Sequence, residues 1–126
     1  MKVLVAEDDQ ATRANLCRLV QAEGHEALEA GNGREALAVL LQDGIGLILV
    51  DLVMPVMTGL DFIVTARSAG LLKCPVYVVS GFDPLWVEGT GVTGYLSKPV
   101  DVEQLRNVLA TAELVQADQR SSAPLT

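Results

Sequence analysis

The chain has 126 residues, half of them apolar, which suits one domain with a single core and disfavours a two-domain arrangement. Sixteen acidic residues against nine basic ones give a net charge of −7, which argues against binding to the phosphate backbone of nucleic acids or to anionic membranes. Proteins and cations are the partners that this charge favours.

In the first half of the chain, apolar runs of strand length alternate with segments of helical periodicity. The predicted strands are Lys2–Ala6, Glu26–Glu29 and Gly46–Val50, and the predicted helices are Gln10–Glu23 and Gly33–Gln42. The third strand is apolar throughout, as expected for a strand that helices cover on both faces. The second helix is expected to turn four side chains inward, namely Ala36, Leu37, Leu40 and Leu41.

The second half of the chain continues this alternation. Gly59–Ala69 and Asp101–Val115 are predicted helices, and Val76–Val79 and Tyr95–Ser97 are predicted strands. Residues 116–126 show no periodicity and are predicted to form a flexible tail or a linker stub, so that the domain covers residues 1–115. Strands that alternate with helices favour an α/β fold with a parallel sheet.

The segment between Ser80 and Tyr95 departs from the regular pattern. Only fourteen residues separate the two, and among them are Pro84, Gly89 and Gly91. Each glycine in a helix costs roughly 1 kcal/mol relative to alanine. The fourth helix of an alternating fold is therefore predicted to be short or absent.

Residues that suit phosphoryl chemistry follow four of the predicted strands. Glu7 and Asp8 follow the first strand, Asp51 the third, Ser80 the fourth and Lys98 the fifth. Because the carboxyl ends of parallel strands share one edge of the sheet, these side chains are expected to meet in one pocket. A carboxylate nucleophile, a cation site, a hydroxyl donor and a lysine charge are the groups needed to accept a phosphoryl group.

The acidic residues among them favour a divalent cation. Glu7, Asp8 and Asp51 offer the oxygen ligands that Mg²⁺ prefers, and carboxylates placed close together repel when no cation is present. A simpler alternative is that acidic residues 7–9 cap the first helix. The aspartate, serine and lysine at the other strand ends are also common as turn or solvated residues when each is taken alone.

Cysteine usage and segment lengths restrict the cellular context. Cys17 and Cys74 form no Cys-x-x-Cys pair, and the single histidine, His25, is far from both in sequence, which argues against a zinc site. Both cysteines are expected to be small buried thiols, which suits a reducing compartment. No run is long enough for a signal peptide or a membrane span, so a cytoplasmic protein is predicted.

Four segments resemble the receiver domain of two-component response regulators. They are Val3–Asp9, Asp51–Gly59, Val78–Gly81 and Tyr95–Pro99, and the likeness runs over residues 1–112. The resemblance implies a doubly wound, flavodoxin-like three-layer fold with a five-stranded parallel sheet of order 2-1-3-4-5. It also implies a phosphorylation-dependent switch whose donor is the phospho-histidine of a sensor histidine kinase or histidine phosphotransfer protein.

The resemblance further implies a role for each acidic residue. Asp51 would be the phosphoacceptor, and Mg²⁺ would be held by Glu7, Asp8, Asp51 and the backbone carbonyl of Val53. The phosphorylated state would act on a downstream protein or on a fused output domain. No turnover of a separate substrate is expected.

The family resemblance also implies roles for residues near the ends of the fourth and fifth strands. Ser80 and Lys98 would contact phosphoryl oxygens, and Gly81 would leave room for the main chain to approach. Ser80 and Tyr95 would form the conformational switch. Pro99 would be structural, because the family often has a cis peptide bond before this proline.

Two departures from the family pattern lead to further predictions. Val53 and Phe82 are apolar at positions where polar residues often admit attacking water, which predicts a slowly hydrolysed phospho-aspartate. The short segment at residues 82–94 replaces the fourth helix, which many members use for dimer contacts, so a standard dimer is not expected there.

Three other functions fit the sequence less well than a phosphorylation-dependent switch. Residues 89–94 match Gly-x-Gly-x-x-Gly, but a dinucleotide fingerprint should follow the first strand and open a helix. A haloacid-dehalogenase phosphatase would need a second aspartate where Val53 stands. A receiver-like module that binds proteins without phosphate is the remaining alternative, and the complete set of charged residues argues against it.

Overall fold

The computed structural model describes residues 1–42, 44–81 and 91–121, with side chains described as far as residue 118. Within these residues no helix is both long and apolar enough to cross a membrane. The described elements follow one another as β1 (Lys2–Ala6), α1 (Gln10–Ala22), β2 (Glu26–Ala30), α2 (Gly33–Leu40), β3 (Ile45–Val50), α3 (Gly59–Ser68), β4 (Val76–Ser80), β5 (Gly94–Ser97) and α4 (Val102–Ser121).

All five strands belong to one parallel sheet of order β2-β1-β3-β4-β5, which confirms the predicted fold class. The register brings the strand ends level, because Ala6 pairs with Ala30 on one side and Val50 on the other. On the far side of β3, Val78 pairs with both Val50 and Tyr95. Residues that follow these strands therefore emerge at one edge of the sheet.

Helices cover both faces of the sheet and give it two separate cores. Val3 and Val5 of β1 pack with α1 and α4, whereas Leu4 and Ala6 pack with α2 and α3. The same alternation runs along β3, whose residues are almost all buried, as the apolar sequence of this strand predicts. The result is the three-layer arrangement expected from the sequence.

Side-chain oxygens accept backbone hydrogen bonds at the start of each described helix. Asp9 accepts one from the amide of Thr12 at 2.9 Å, so the capping role considered for the acidic cluster holds for this residue. The same contact lowers the pKa of Asp9, since the hydroxyl and amide of Thr12 stabilise its charged form. The other helices begin with matching contacts from Asn32, Thr58 and Asp101.

Two predictions about helices were wrong. Leu41 is 70% exposed instead of inward, because α2 ends at Leu40 and the chain turns away from the core. The last helix continues to Ser121, beyond the predicted end at Val115, because alanine, glutamine and arginine are good helix formers. Residues 116–121 are thus helical, while the flexible tail or linker stub and the domain boundary at 115 stay predictions.

The prediction of a short or absent fourth helix concerns a part of the chain without description. Residues 82–90, most of this segment, lie outside the described residues. The expectation that no standard dimer forms there therefore stays a prediction. The chain is described again from Gly91, where the amide of Thr93 donates to the carbonyl of Val76 at 2.8 Å and leads into β5.

Candidate functional site

Charged side chains meet at the carboxyl edge of the sheet, and backbone hydrogen bonds hold the residues that carry them. The amide of Glu7 donates to the carbonyl of Ala30, and the amide of Asp51 donates to that of Ala6, both at 2.9 Å. Past β5, the amide of Lys98 donates to the last residue of β4 at 3.0 Å. The ladder of the sheet therefore extends one residue beyond the strands and positions all three side chains.

Lys98 joins two buried carboxylates across the site. Its Nζ lies 2.9 Å from Glu7 Oε1, 3.0 Å from Glu7 Oε2 and 2.9 Å from Asp51 Oδ2. Glu7 and Asp51 are both buried, and Lys98 is partly exposed. One ammonium group thus compensates two carboxylates that are otherwise removed from water.

The surroundings shift the pKa of two of these groups. Burial, followed by the hydrogen bond and charge of Asp51, raises the pKa of Glu7 to about 7, although Lys98 opposes the shift. Burial alone would lower the pKa of Lys98, but the hydrogen bonds with Glu7 and Asp51 outweigh it, so that the pKa is raised. Lys98 therefore stays charged, and Glu7 holds a proton more tightly than a free carboxylate does.

A third carboxylate completes a possible cation site. One carboxylate oxygen each from Glu7, Asp8 and Asp51 lie within 4.8 Å of one another. Asp8 is exposed and the other two are buried, so a hydrated ion can reach the oxygens from solvent. Three carboxylates with room for water are a donor set that fits Mg²⁺.

Ser80 and Tyr95 are linked at the end of the neighbouring strand pair. Ser80 is buried, and its carbonyl accepts a hydrogen bond from the hydroxyl of Tyr95 at 3.0 Å. A Cβ added to Gly81 would meet no atom of the described residues within 4 Å. This glycine therefore leaves open space next to the site.

The loop after β3 lies against the Asp51 carboxylate. The amide of Val53 donates to Asp51 Oδ1 at 3.3 Å, and the Val53 side chain is 57% exposed. A Cβ on Gly59 would collide with the backbone of Asp51 and Leu52. The loop therefore closes on itself only with glycine at this position.

Of the two remaining predicted residues, the structure describes Pro99 but not Phe82. The Lys98–Pro99 peptide bond is cis, as the family resemblance implied. Phe82, predicted to slow the loss of phosphate, lies outside the described residues.

Two contacts of the site escaped the sequence analysis. The first is the pairing of Lys98 with Glu7, which lie 91 positions apart. The second is a hydrogen bond of 2.8 Å from Arg13 Nη1 to the carbonyl of Glu7. Arg13 is one of two arginines in α1, and no local pattern distinguishes it from Arg18.

A family model for the response regulator receiver domain matches residues 3–110, nearly the whole of the described fold. The chain belongs to this family. Receiver domains of two-component response regulators act in phosphorylation-dependent signalling and bind Mg²⁺ at an acidic pocket. Among the described residues, Glu7, Asp8 and Asp51 form an acidic cluster of this kind.

Relatives of this receiver domain differ in length. The sensory/regulatory protein RpfC of Xanthomonas campestris pv. campestris is 32% identical over the whole chain, which spans only 18% of that protein. Protein PilH of Pseudomonas aeruginosa is 29% identical over 82% of this chain and 90% of its own length. The chain therefore resembles both a small part of a long protein and most of a short one.

Solved structures show the same fold. The receiver domain of the hybrid histidine kinase CckA is 33% identical, with a TM-score of 0.75 over 89% of this chain and 98% of that one. The chemotaxis protein CheY4 of Vibrio cholerae is 32% identical, with a TM-score of 0.80 over 88% and 97% of the two chains.

Proposed function

We propose that this receiver domain accepts a phosphoryl group on Asp51 from the phospho-histidine of a sensor histidine kinase or histidine phosphotransfer protein. The observation that carries the proposal is the position of Lys98 Nζ, 2.9 Å from Asp51 Oδ2 in a pocket with two further carboxylates. A buried carboxylate with a fixed cation beside it and an open approach from solvent suits a nucleophile that must accept charged oxygens.

Each residue of the pocket has a part in this transfer. An oxygen of Asp51 attacks phosphorus as the bond from phosphorus to the donor imidazole nitrogen breaks. The ammonium of Lys98 then pairs with a phosphoryl oxygen, and the Ser80 hydroxyl donates to another. Glu7, Asp8, Asp51 and the Val53 carbonyl would hold Mg²⁺, which when bound neutralises phosphoryl charge.

The switch follows from the connection between Ser80 and Tyr95. Movement of Ser80 toward the phosphoryl group would shift the carbonyl that now accepts the Tyr95 hydroxyl. Tyr95 is partly buried, so its relocation would reshape the surface near β5. A changed protein surface is the signal that a downstream protein or a fused output domain would detect.

This receiver domain has a groove beside the pocket, and in our proposal the donor protein binds there. This groove, about 540 Å³ in volume, runs between α1 and the loop after β5. Lys98 belongs to both the groove and the pocket, so a protein seated there would have its histidine near Asp51. The groove is lined by Ala11, Thr12, Asn15, Leu16, Lys98, Pro99 and Val100.

Phosphorylation by a small donor tests the proposal without a partner protein. In acetyl phosphate and MgCl₂, the wild-type chain is expected to gain the mass of one phosphoryl group, and Asp51→Asn is expected to gain none. Asp61→Asn, which changes an exposed aspartate on α3, is the matched control and should be phosphorylated normally. Equal phosphorylation of Asp51→Asn would overturn the assignment.

The rate at which the phosphorylated protein loses phosphate tests the proposed effect of Val53. Because Val53 places an exposed apolar side chain beside Asp51, attack by water should be slow. After removal of acetyl phosphate, intact mass spectrometry should show phosphate persisting well beyond seconds in Mg²⁺. A lifetime of seconds would contradict this part of the proposal.

The phosphate-independent binding module predicts a different result with a phosphate analogue. Beryllofluoride with MgCl₂ should bind the switch tightly and only when Asp51 is present. A module that never uses phosphate has no need to bind the analogue, so absence of binding by calorimetry would support this alternative.

A further inference from the structure

Arg13 contacts the metal pocket through the backbone. Its Nη1 donates to the carbonyl oxygen of Glu7 at 2.8 Å, and its Nε donates to Glu29 Oε1 at 3.3 Å. The side chain of Arg13 is only 20% exposed, against 57% for Glu29. The guanidinium group thus lies partly enclosed between the end of β1 and the neighbouring strand β2.

The carbonyl that Arg13 contacts belongs to the peptide group between Glu7 and Asp8. The amide of Glu7 is already held by the carbonyl of Ala30 at 2.9 Å, so the Arg13 contact fixes Glu7 from its other side. Because a peptide group is planar, fixing its oxygen also restricts the direction in which the chain enters Asp8. Asp8 is exposed, so packing does not provide this restraint.

Arg13 contacts the pocket through a backbone oxygen and forms its ion pair with a carboxylate outside the pocket. Its ion-pair partner is Glu29, which lies outside the pocket. In contrast, the ammonium of Lys98 contacts Glu7 and Asp51 directly. Arg13 can therefore hold the loop that carries two carboxylates without occupying the oxygens that a metal ion needs.

We propose that Arg13 is a positioning residue for this pocket, which orients Glu7 and Asp8 for Mg²⁺ through the Glu7 carbonyl. The inference rests on the proposed function for the use of Mg²⁺ by the site. Outer contacts that orient metal ligands change metal affinity by about 10–100-fold when they are removed. An effect near the lower limit is expected here, because Arg13 holds the backbone and not the carboxylates themselves.

Calorimetric titration of the metal-free chain with MgCl₂ measures this role. Arg13→Ala is expected to bind Mg²⁺ about tenfold more weakly than the wild type. Arg13→Lys keeps a cationic donor for the Glu7 carbonyl and should recover most of the loss. Arg18→Ala is the matched control, since it removes an exposed arginine from the same helix, and its affinity should equal that of the wild type.

Phosphorylation by acetyl phosphate provides the second measurement. The MgCl₂ concentration for half-maximal rate should rise about tenfold in Arg13→Ala, whereas a merely structural role would alter unfolding without this shift. If Arg13→Ala does not fold, Arg13→Met, which has a long side chain but no hydrogen-bond donor, takes its place and should bind Mg²⁺ more weakly than Arg13→Lys.

Each result either supports or overturns the positioning role. Wild-type Mg²⁺ affinity in Arg13→Ala or Arg13→Met would overturn it and leave the proposed function intact. An equal loss in Arg18→Ala would also overturn it, because a loss of affinity that needs no contact with Glu7 would come from a general effect on the helix. A wild-type chain that neither binds Mg²⁺ nor becomes phosphorylated would overturn both proposals.

Discussion

At the residue scale, the pocket depends on the balance between two buried carboxylates and one ammonium group. Glu7 and Asp51 both contact Lys98, and the neighbouring Asp51 adds to the raised pKa of Glu7. Isolated buried carboxylates would be unfavourable, but here the lysine and, in our proposal, a metal ion supply the missing positive charge. The same balance makes the pocket sensitive to protons.

The pH dependence of Mg²⁺ binding follows from the raised pKa of Glu7. Because this pKa is about 7 in the metal-free protein, a proton occupies Glu7 at lower pH and must leave when the ion binds. Mg²⁺ affinity is expected to fall about tenfold from about pH 8 to about pH 6, as measured by calorimetry.

The variant Glu7→Gln provides the control for this prediction. Its side chain cannot titrate, so its weaker Mg²⁺ binding should vary much less over the same pH range. A wild-type affinity that stays constant across this range would show that Glu7 is already ionised in the metal-free protein.

At the element scale, the loop between β3 and α3 combines close packing with an unusual backbone. Gly59 lies against the backbone of Asp51, and the amide of Gly33 donates to the carbonyl of Met57 at 2.9 Å. Val56 has a positive φ of +68°. The residues on either side of Val56 are linked, because the amide of Met57 donates to the carbonyl of Pro55 at 2.7 Å. The loop is thus held tightly next to Asp51.

Two glycines near the pocket should respond differently to the same substitution. Gly59→Ala is expected to lower the free energy of unfolding by about 2 kcal/mol, because its Cβ collides with the backbone of Asp51. Gly81→Ala should change it by less than about 0.5 kcal/mol, yet slow phosphorylation by filling space beside the site. Urea unfolding and acetyl phosphate kinetics measure the two effects. Equal destabilisation by both substitutions would contradict the packing argument.

The strained valine of the loop should yield a stabilised variant. A β-branched residue at positive φ is unfavourable, and Val56 is exposed, so little packing is lost when it is replaced. Val56→Gly is expected to raise the free energy of unfolding by about 1 kcal/mol. Val64→Gly, at an exposed position inside α3, should lower it by a similar amount. Destabilisation by Val56→Gly in urea unfolding would show that the loop carries no such strain.

The elements that the sequence predicted well are those whose pattern directly reflects burial. The strands appeared as apolar runs, and their ends were correct to within a residue because charged residues such as Asp51 follow at once. Helix ends were less accurate, since Leu41 fits the apolar periodicity of α2 although the helix has already ended. Contacts from Arg13 and Lys98 to Glu7 depend on the register of separate strands and on rotamers, which no local pattern records.

At the scale of the whole molecule, the fold brings residues from the beginning, middle and end of the chain into one pocket. Glu7, Asp51 and Lys98 each follow a different strand, and the central strands β1 and β3 are buried between two layers of helices. The sheet therefore fixes where the pocket lies, and in our proposal phosphorylation changes the surface around it. A switch needs this combination of a fixed site and a movable surface.

The residue that carries the phosphoryl group is the most direct test of the account. After phosphorylation with acetyl phosphate and MgCl₂, reduction with borohydride converts an aspartyl phosphate to homoserine, which peptide mass spectrometry can locate. We expect homoserine at Asp51 alone, and none when Mg²⁺ is withheld. Homoserine at Asp8 or elsewhere, with Asp51 unchanged, would contradict the proposed chemistry of the pocket.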